Sequence, residues 1–211
     1  MNRRIVQLAL VGALSVTATA KARANVTYLG PRTYESWVTQ NVLAPSGIQA
    51  MSLGANTLAG RKPNEVTYTP AATAYVNNNL PNLDASGGWI ASPTDLLRFV
   101  THIDGAPTVP DVLAPATLSR MYAGQVPGSG YGLGWHLEFN GDGTPFNMWH
   151  DGAFHGALGV VKRFAAGLQM AAATNCNPCD NPDGNALGIL SRDLGTASVN
   201  WTQADLFDAP N

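Results

Sequence analysis

The chain has 211 residues, of which 12% are charged, 22 are glycine and 14 are proline, and it carries a formal net charge of −2. With 45% hydrophobic residues this is a loop-rich globular composition, not a disordered or coiled one. The slightly acidic balance excludes a nucleic acid or an anionic membrane surface as the expected partner.

Residues 1–24 read as a secretory signal peptide. Arg3 and Arg4 precede an uncharged run from Ile5 to Ala20, and Ala18-Thr19-Ala20 or Ala22-Arg23-Ala24 would serve as a small-residue cleavage site. The run is interrupted by Gln7, Gly12, Ser15, Thr17 and Thr19, which suits a removed leader better than a permanent span of about 20 apolar residues. Its loss takes away four of the 12 basic residues and no acidic one, leaving 8 against 14 and a net charge of −6. The expected product is secreted or periplasmic and has no membrane anchor after processing. Residues 25–199 are enough for one domain with its own core, and 200–211 read as a loose tail.

The first expected element is a helix from Thr33 to Leu43, on which Tyr34, Trp37, Val38 and Val42 recur at helical spacing before Pro45 and Gly47 stop it. Residues 50–83 are rich in Asn, Thr and Pro and read as an extended excursion over the domain, with one strand at Glu65–Tyr68. Ser92-Pro93-Thr94-Asp95 is the best-defined helix start in the chain. Ser92 suits the N-cap, Pro93 the first helical position, and Asp95 the acidic third position at the positive helix end. Leu96, Leu97, Val100 and Ile103 form the stripe that helix should bury. A second short helix, Leu113–Tyr122, is started by Pro115.

From Tyr131 the period changes to two. Strands are expected at Tyr131–Phe139, Phe146–Gly152, Ala157–Phe164 and Leu168–Thr174, with turns at Asn140–Gly143 and Ala165–Gly167. A last helix is expected at Asn185–Leu194. Cys176 and Cys179 read as a short local disulfide in a turn or as two free thiols. No histidine pair stands near them to complete a zinc site, and neither a metal nor a cofactor is expected.

The stretch on which the rest is organised is Trp149-His150-Asp151-Gly152-Ala153-Phe154-His155-Gly156. An imidazole, one spacer and two tiny residues between strands is what a sheet edge needs if a ligand is to lie against its backbone. With Tyr131-Gly132-Leu133-Gly134-Trp135 before it, Leu168–Asn175 after it, and Ser86–Leu97 and Tyr34–Ile48 upstream, the order resembles the C-terminal half of the serine β-lactamase and penicillin-binding-protein superfamily. The nearest branch is that of class C β-lactamases, carboxylesterases and D-alanyl carboxypeptidases. The resemblance implies an α/β fold of α+β type: an antiparallel sheet with flanking helices, incomplete because the strands, nucleophile helix and helical lobe that precede it in relatives are missing.

What the resemblance implies for the site is mixed. His150-Asp151-Gly152 matches the family's Lys-Thr-Gly or His-x-Gly motif, so His150, Gly152 and Ala153 are the substrate-binding candidates, with the Ala153 N–H supplying half of an oxyanion hole. Asp151 stands where relatives carry a small or hydroxyl residue and would repel a carboxylate-bearing substrate. The family's Ser-x-x-Lys nucleophile motif is absent: the residues three before Lys21, Lys62 and Lys162 are Ala18, Ala59 and Gly159. Tyr75-Val76-Asn77 fits the family's tyrosine motif but follows the corner it should precede, and reads as chance. The expected protein is therefore a truncated or degenerate hydrolase, inactive alone, or a module that binds a small ester, β-lactam or peptide ligand or docks onto a separate N-terminal half. An active enzyme using Ser86 or Ser129 with His150 or His155 is the remaining option, without a Gly-x-Ser-x-Gly elbow to support it. Because no segment between Ala24 and Thr33 could replace the nucleophile helix, one face of the sheet is expected to lie uncovered.

Overall fold

The computed structural model describes residues 33–177 apart from 72–73, 76–77, 125–128 and 166. The leader, the last helix, the tail and Cys179 of the sequence reading lie outside the described residues.

The first helix forms where the pattern puts it, but in two windings. Thr33 caps α1 (Tyr34–Val38) by accepting from Ser36 N, and the chain then widens into a π-helix at Thr39–Leu43. The Asn41 side-chain amide donates to Trp37 O at 2.8 Å, while Ala44 N donates to Thr39 O, the i to i−5 spacing of a wider turn. Gly47, at φ +67°, then turns the chain so that Ile48 is buried.

The excursion is more structured than expected. It holds β1 (Ser52–Leu53), a 3-10 turn at Leu58–Gly60 and a helical turn α2 (Leu80–Leu83). β1 pairs antiparallel with β2 (Trp89–Ile90), a pair too short to show as alternation. The strand expected at Glu65–Tyr68 does not form; only Thr69 is bridged, to Cys176. Glu65 is buried and its carboxylate accepts from Lys62 N at 2.9 Å, so this stretch is used to close a turn on itself.

The helix α3 (Pro93–Thr101) has the expected start. Ser92 Oγ accepts from Asp95 N, and the Asp95 carboxylate accepts from Ser92 N, a reciprocal capping box. Val100 and Ile103 are buried, whereas Leu96 and Leu97 are half-buried. The shorter α4 (Pro115–Met121) starts at Pro115 and buries Leu118.

The sheet is four-stranded and antiparallel in the order β3-β4-β5-β6, with β3 at His136–Phe139, β4 at Pro145–Phe154, β5 at Ala157–Arg163 and β6 at Gln169–Thr174. The expected first strand is shortened: it begins at His136, not Tyr131, because Gly134 at φ +82° turns the chain back and leaves Tyr131 bridged only to His136. Both expected turns form, around Gly143 at φ +82° and Gly167 at φ +84°.

The sheet is not left bare, which corrects the expectation of an uncovered face. Alternation along the strands sends Leu137 and Met148 to one face, where they join Val100, Ile103, Leu118 and Trp135 in a buried cluster. On the other face Val160 and Met170 are buried together with Phe164. The helices α3 and α4, not a nucleophile helix, supply the cover of the first face.

Candidate functional site

Register makes the site. β3 pairs with β4 only as far as His136 opposite Trp149, while β4 pairs with β5 from Met148 to Phe154. Beyond Trp149, therefore, the residues His150 to Phe154 are paired on one side, and among the described residues no strand pairs with the other. Such an edge presents unpaired N–H and C=O groups to any extended ligand.

Which groups face outward follows from one hydrogen bond. His150 Nδ1 lies 2.7 Å from Asp151 O, so the Asp151 carbonyl is turned away from the β5 ladder. Backbone polar groups alternate sides along an antiparallel strand, which puts the N–H and C=O of Ala153 on the same outward side as those of Asp151. Gly152 has open space where a Cβ would stand, and Asp151, Gly152 and Ala153 are all exposed.

His150 itself is held at both nitrogens. A carbonyl can only accept, so Nδ1 carries the proton toward Asp151 O; in the neutral ring Nε2 then accepts from the Tyr131 hydroxyl at 2.9 Å. Around this pair the rings interlock. His136 stacks on Trp149 with centroids 4.1 Å apart, and Tyr131 meets His136 edge-on at 4.8 Å.

The far end of the edge strand is anchored by asparagines. Asn78 Nδ2 donates to His155 O at 2.9 Å, and Asn177 Nδ2 donates to Phe154 O at 2.7 Å. The tip fits tightly because Gly156, at φ +84°, lies against Tyr68 and Ala74. Beside it is a cavity of about 80 Å³ lined by Tyr68, Tyr75, Asn78, Trp89, Phe154 and His155, large enough for a few waters or a short alkyl group. Burial and the neighbouring Glu65 push the Tyr68 phenol well above its ordinary range.

The structure brings His150, Gly152 and Ala153 together on one edge, and neither alternative serine hydrogen-bonds a histidine among the described residues. Ser86 Oγ donates to Leu83 O at 2.8 Å, and Ser129 Oγ accepts from Tyr131 N at 3.2 Å. Tyr75 is buried beside Tyr68 with ring centroids 5.6 Å apart. Cys176 is disulfide-bonded. Among the described residues no group of three or more His, Cys, Asp or Glu is placed to hold a metal. The residue that sequence reasoning missed is Tyr131: its phrase is visible in the sequence, but its bond to His150 depends on the reversal at Gly134.

A family model described as Beta-lactamase matches residues 16–191. The match begins inside the stretch read as a leader. A solved structure similar in fold is that of the octameric penicillin-binding protein homologue from Pyrococcus abyssi, at 18% identity and a TM-score of 0.50. The similarity covers 76% of this chain and 38% of that one, so the chain spans well under half of that protein's length. No curated protein matches.

Proposed function

The chain belongs to the beta-lactamase family, and from that membership we propose that it is a secreted, truncated or degenerate serine-hydrolase-like protein that performs no acyl transfer on its own. The parent chemistry is acyl-serine hydrolysis of a β-lactam, an ester or a D-alanyl peptide. What carries this reading is a single observation: the 211 residues contain no Ser-x-x-Lys. Without an adjacent amine to take its proton, a serine hydroxyl is a poor nucleophile at neutral pH. What the chain keeps is the binding half of the site, an open sheet edge on which Gly152 gives access and Ala153 turns its N–H outward.

Intact-mass spectrometry after incubation with a fluorophosphonate or a labelled penicillin tests the reading. No adduct is expected, and no turnover of nitrocefin or p-nitrophenyl esters. A stoichiometric adduct abolished by one Ser→Ala substitution would overturn it.

A second reading, a module completed by a separately encoded N-terminal half, is favoured by the sheet's other edge: among the described residues β6 pairs only with β5. Mixing with the N-terminal half of a related hydrolase would then yield a complex and esterase activity that neither piece has alone. Export is supported by the disulfide at Cys176, since such bonds persist in oxidising compartments. N-terminal sequencing of exported protein should start after residue 20 or 24, and a soluble cytoplasmic product retaining Met1 would remove the proposal.

A further inference from the structure

The open edge carries a charge pattern opposite to that of a carboxylate-binding site. In the family motif the side chain at the first position helps to hold the substrate, yet in this chain His150 has no ring nitrogen to spare. Nδ1 is spent on Asp151 O at 2.7 Å and Nε2 on the Tyr131 hydroxyl at 2.9 Å. With the ring neutral, the phenol gives its proton to Nε2 and has only lone pairs left to offer a ligand. Asp151, the residue after His150, is exposed, and it takes part in neither of the two ion pairs found among the described residues, Lys162–Glu138 and Arg163–Asp104. The nearest basic side chain along the sheet, Lys162 opposite Trp149, is occupied by Glu138 at 3.3 Å. The edge thus offers acceptors and an unpaired negative charge, and no cation.

We propose that this edge selects ligands bearing a protonated amine and rejects ligands bearing a carboxylate. The inference rests on the sheet edge being the binding site, as proposed above, and adds the class of ligand. Asp151 supplies the charge, while the outward N–H of Ala153 takes a carbonyl where the ligand has one. Tyr131 acts partly through His150: by holding Nε2 it keeps the imidazole from turning a donor toward an anion.

The test uses the full chain, labelled with nitrogen-15 and titrated with n-butylamine, butyrate and neutral methyl butyrate at neutral pH, reading the amides of Gly152 and Ala153. Butylammonium is expected to shift those amides and to bind about tenfold more tightly than butyrate, the size of effect one unpaired exposed charge supports. Asp151→Asn should bring the two to within about twofold, and His150→Lys, which sets a cation at the motif's first position, should reverse the order. The Asp151 side chain takes part in no ion pair among the described residues, so its variant keeps the dispersed strand amides as an internal check. Shifts at Gly152 and Ala153 with butyrate as tight as the amine, or an amine preference untouched in Asp151→Asn, overturn the ligand class and leave the edge as a binding site. If none of the three probes moves these amides, both the inference and the edge reading fall.

Discussion

The Asp104 carboxylate, just past the end of α3, accepts a hydrogen bond from the Gln169 side chain at the start of β6 over 2.6 Å. Asp104 is buried, accepts from Ala106 N as well, and has Arg163 at 4.0 Å. One carboxylate thereby joins the end of the covering helix to the edge strand β6 and to its neighbour β5. Asp104→Ala should cost about 2–3 kcal/mol, because it strands two donors and leaves the half-buried Arg163 without its carboxylate. Chemical denaturation checks this, with exposed Ser119→Ala as a control that stays within about 0.5 kcal/mol.

Ser92→Ala removes one arm of the capping box and should cost about 1 kcal/mol. Ser92→Asn should recover most of it, since its amide oxygen can accept from the same N–H and its amide nitrogen can replace the Ser92 Oγ donation to Asp95 at 2.7 Å. Paired urea melts at constant slope will read both.

Two glycines of like conformation separate backbone strain from crowding. Gly143 and Gly156 sit at φ +82° and +84°, but a Cβ on Gly143 meets open space while one on Gly156 falls 2.6 Å from Ala74 Cβ and 2.7 Å from Tyr68 Cβ. Gly143→Ala is expected to cost about 1–2 kcal/mol, the left-handed penalty alone. Gly156→Ala should cost clearly more and should also shift the amides of Phe154 and His155. Equal losses at the two positions would show that the tip yields without resistance.

Alkali should unfold the protein through Tyr68 and Tyr122. Both phenols are pushed up, chiefly by burial, with Glu65 adding to the effect at Tyr68 and Asp104 at Tyr122. Below the unfolded value of about 10 both states keep the proton and pH has no leverage. Above it the unfolded chain releases protons that the folded chain retains, so stability falls as pH rises. Tyr68→Phe should flatten that fall, measured as denaturation midpoints across pH 9–11.

Legibility in the sequence followed the range of the interactions. The box at Ser92 and Asp95, the turns at Gly143 and Gly167 and all four sheet strands are set by neighbours a few residues apart, and the pattern announces them. β1 and β2, two residues each, carry no period to read. The strand expected at Glu65–Tyr68 failed because a buried carboxylate captured its own backbone. At the site, His150, Gly152 and Ala153 were readable as a motif. Tyr131's hold on His150 was not, since it requires knowing that Gly134 folds one hairpin arm back over the other. The cover of the sheet was misjudged for a related reason: α3 was predicted as a helix, but no local signal says which surface a helix lands on.

The stitching at the tip of β4 and β5 also bears on the order in which the molecule assembles. Asn175 reaches Thr67 O across 108 positions of sequence, Thr69 N and O are both taken by the segment 175–177, and Gly156 N donates to Asn177 O. The bonds to Thr67 and Thr69 close a loop of about half the chain, whereas the β4–β5 hairpin they steady closes over two residues. Contacts between distant segments carry a larger closure entropy and form after local ones. The hairpin should thus zip early and remain loose at its tip until the late docking of 175–177. In native-state hydrogen exchange the amides of Gly156 and Asn177 will then open at a fraction of the global unfolding free energy, and those of Val160 and Val161 only with it.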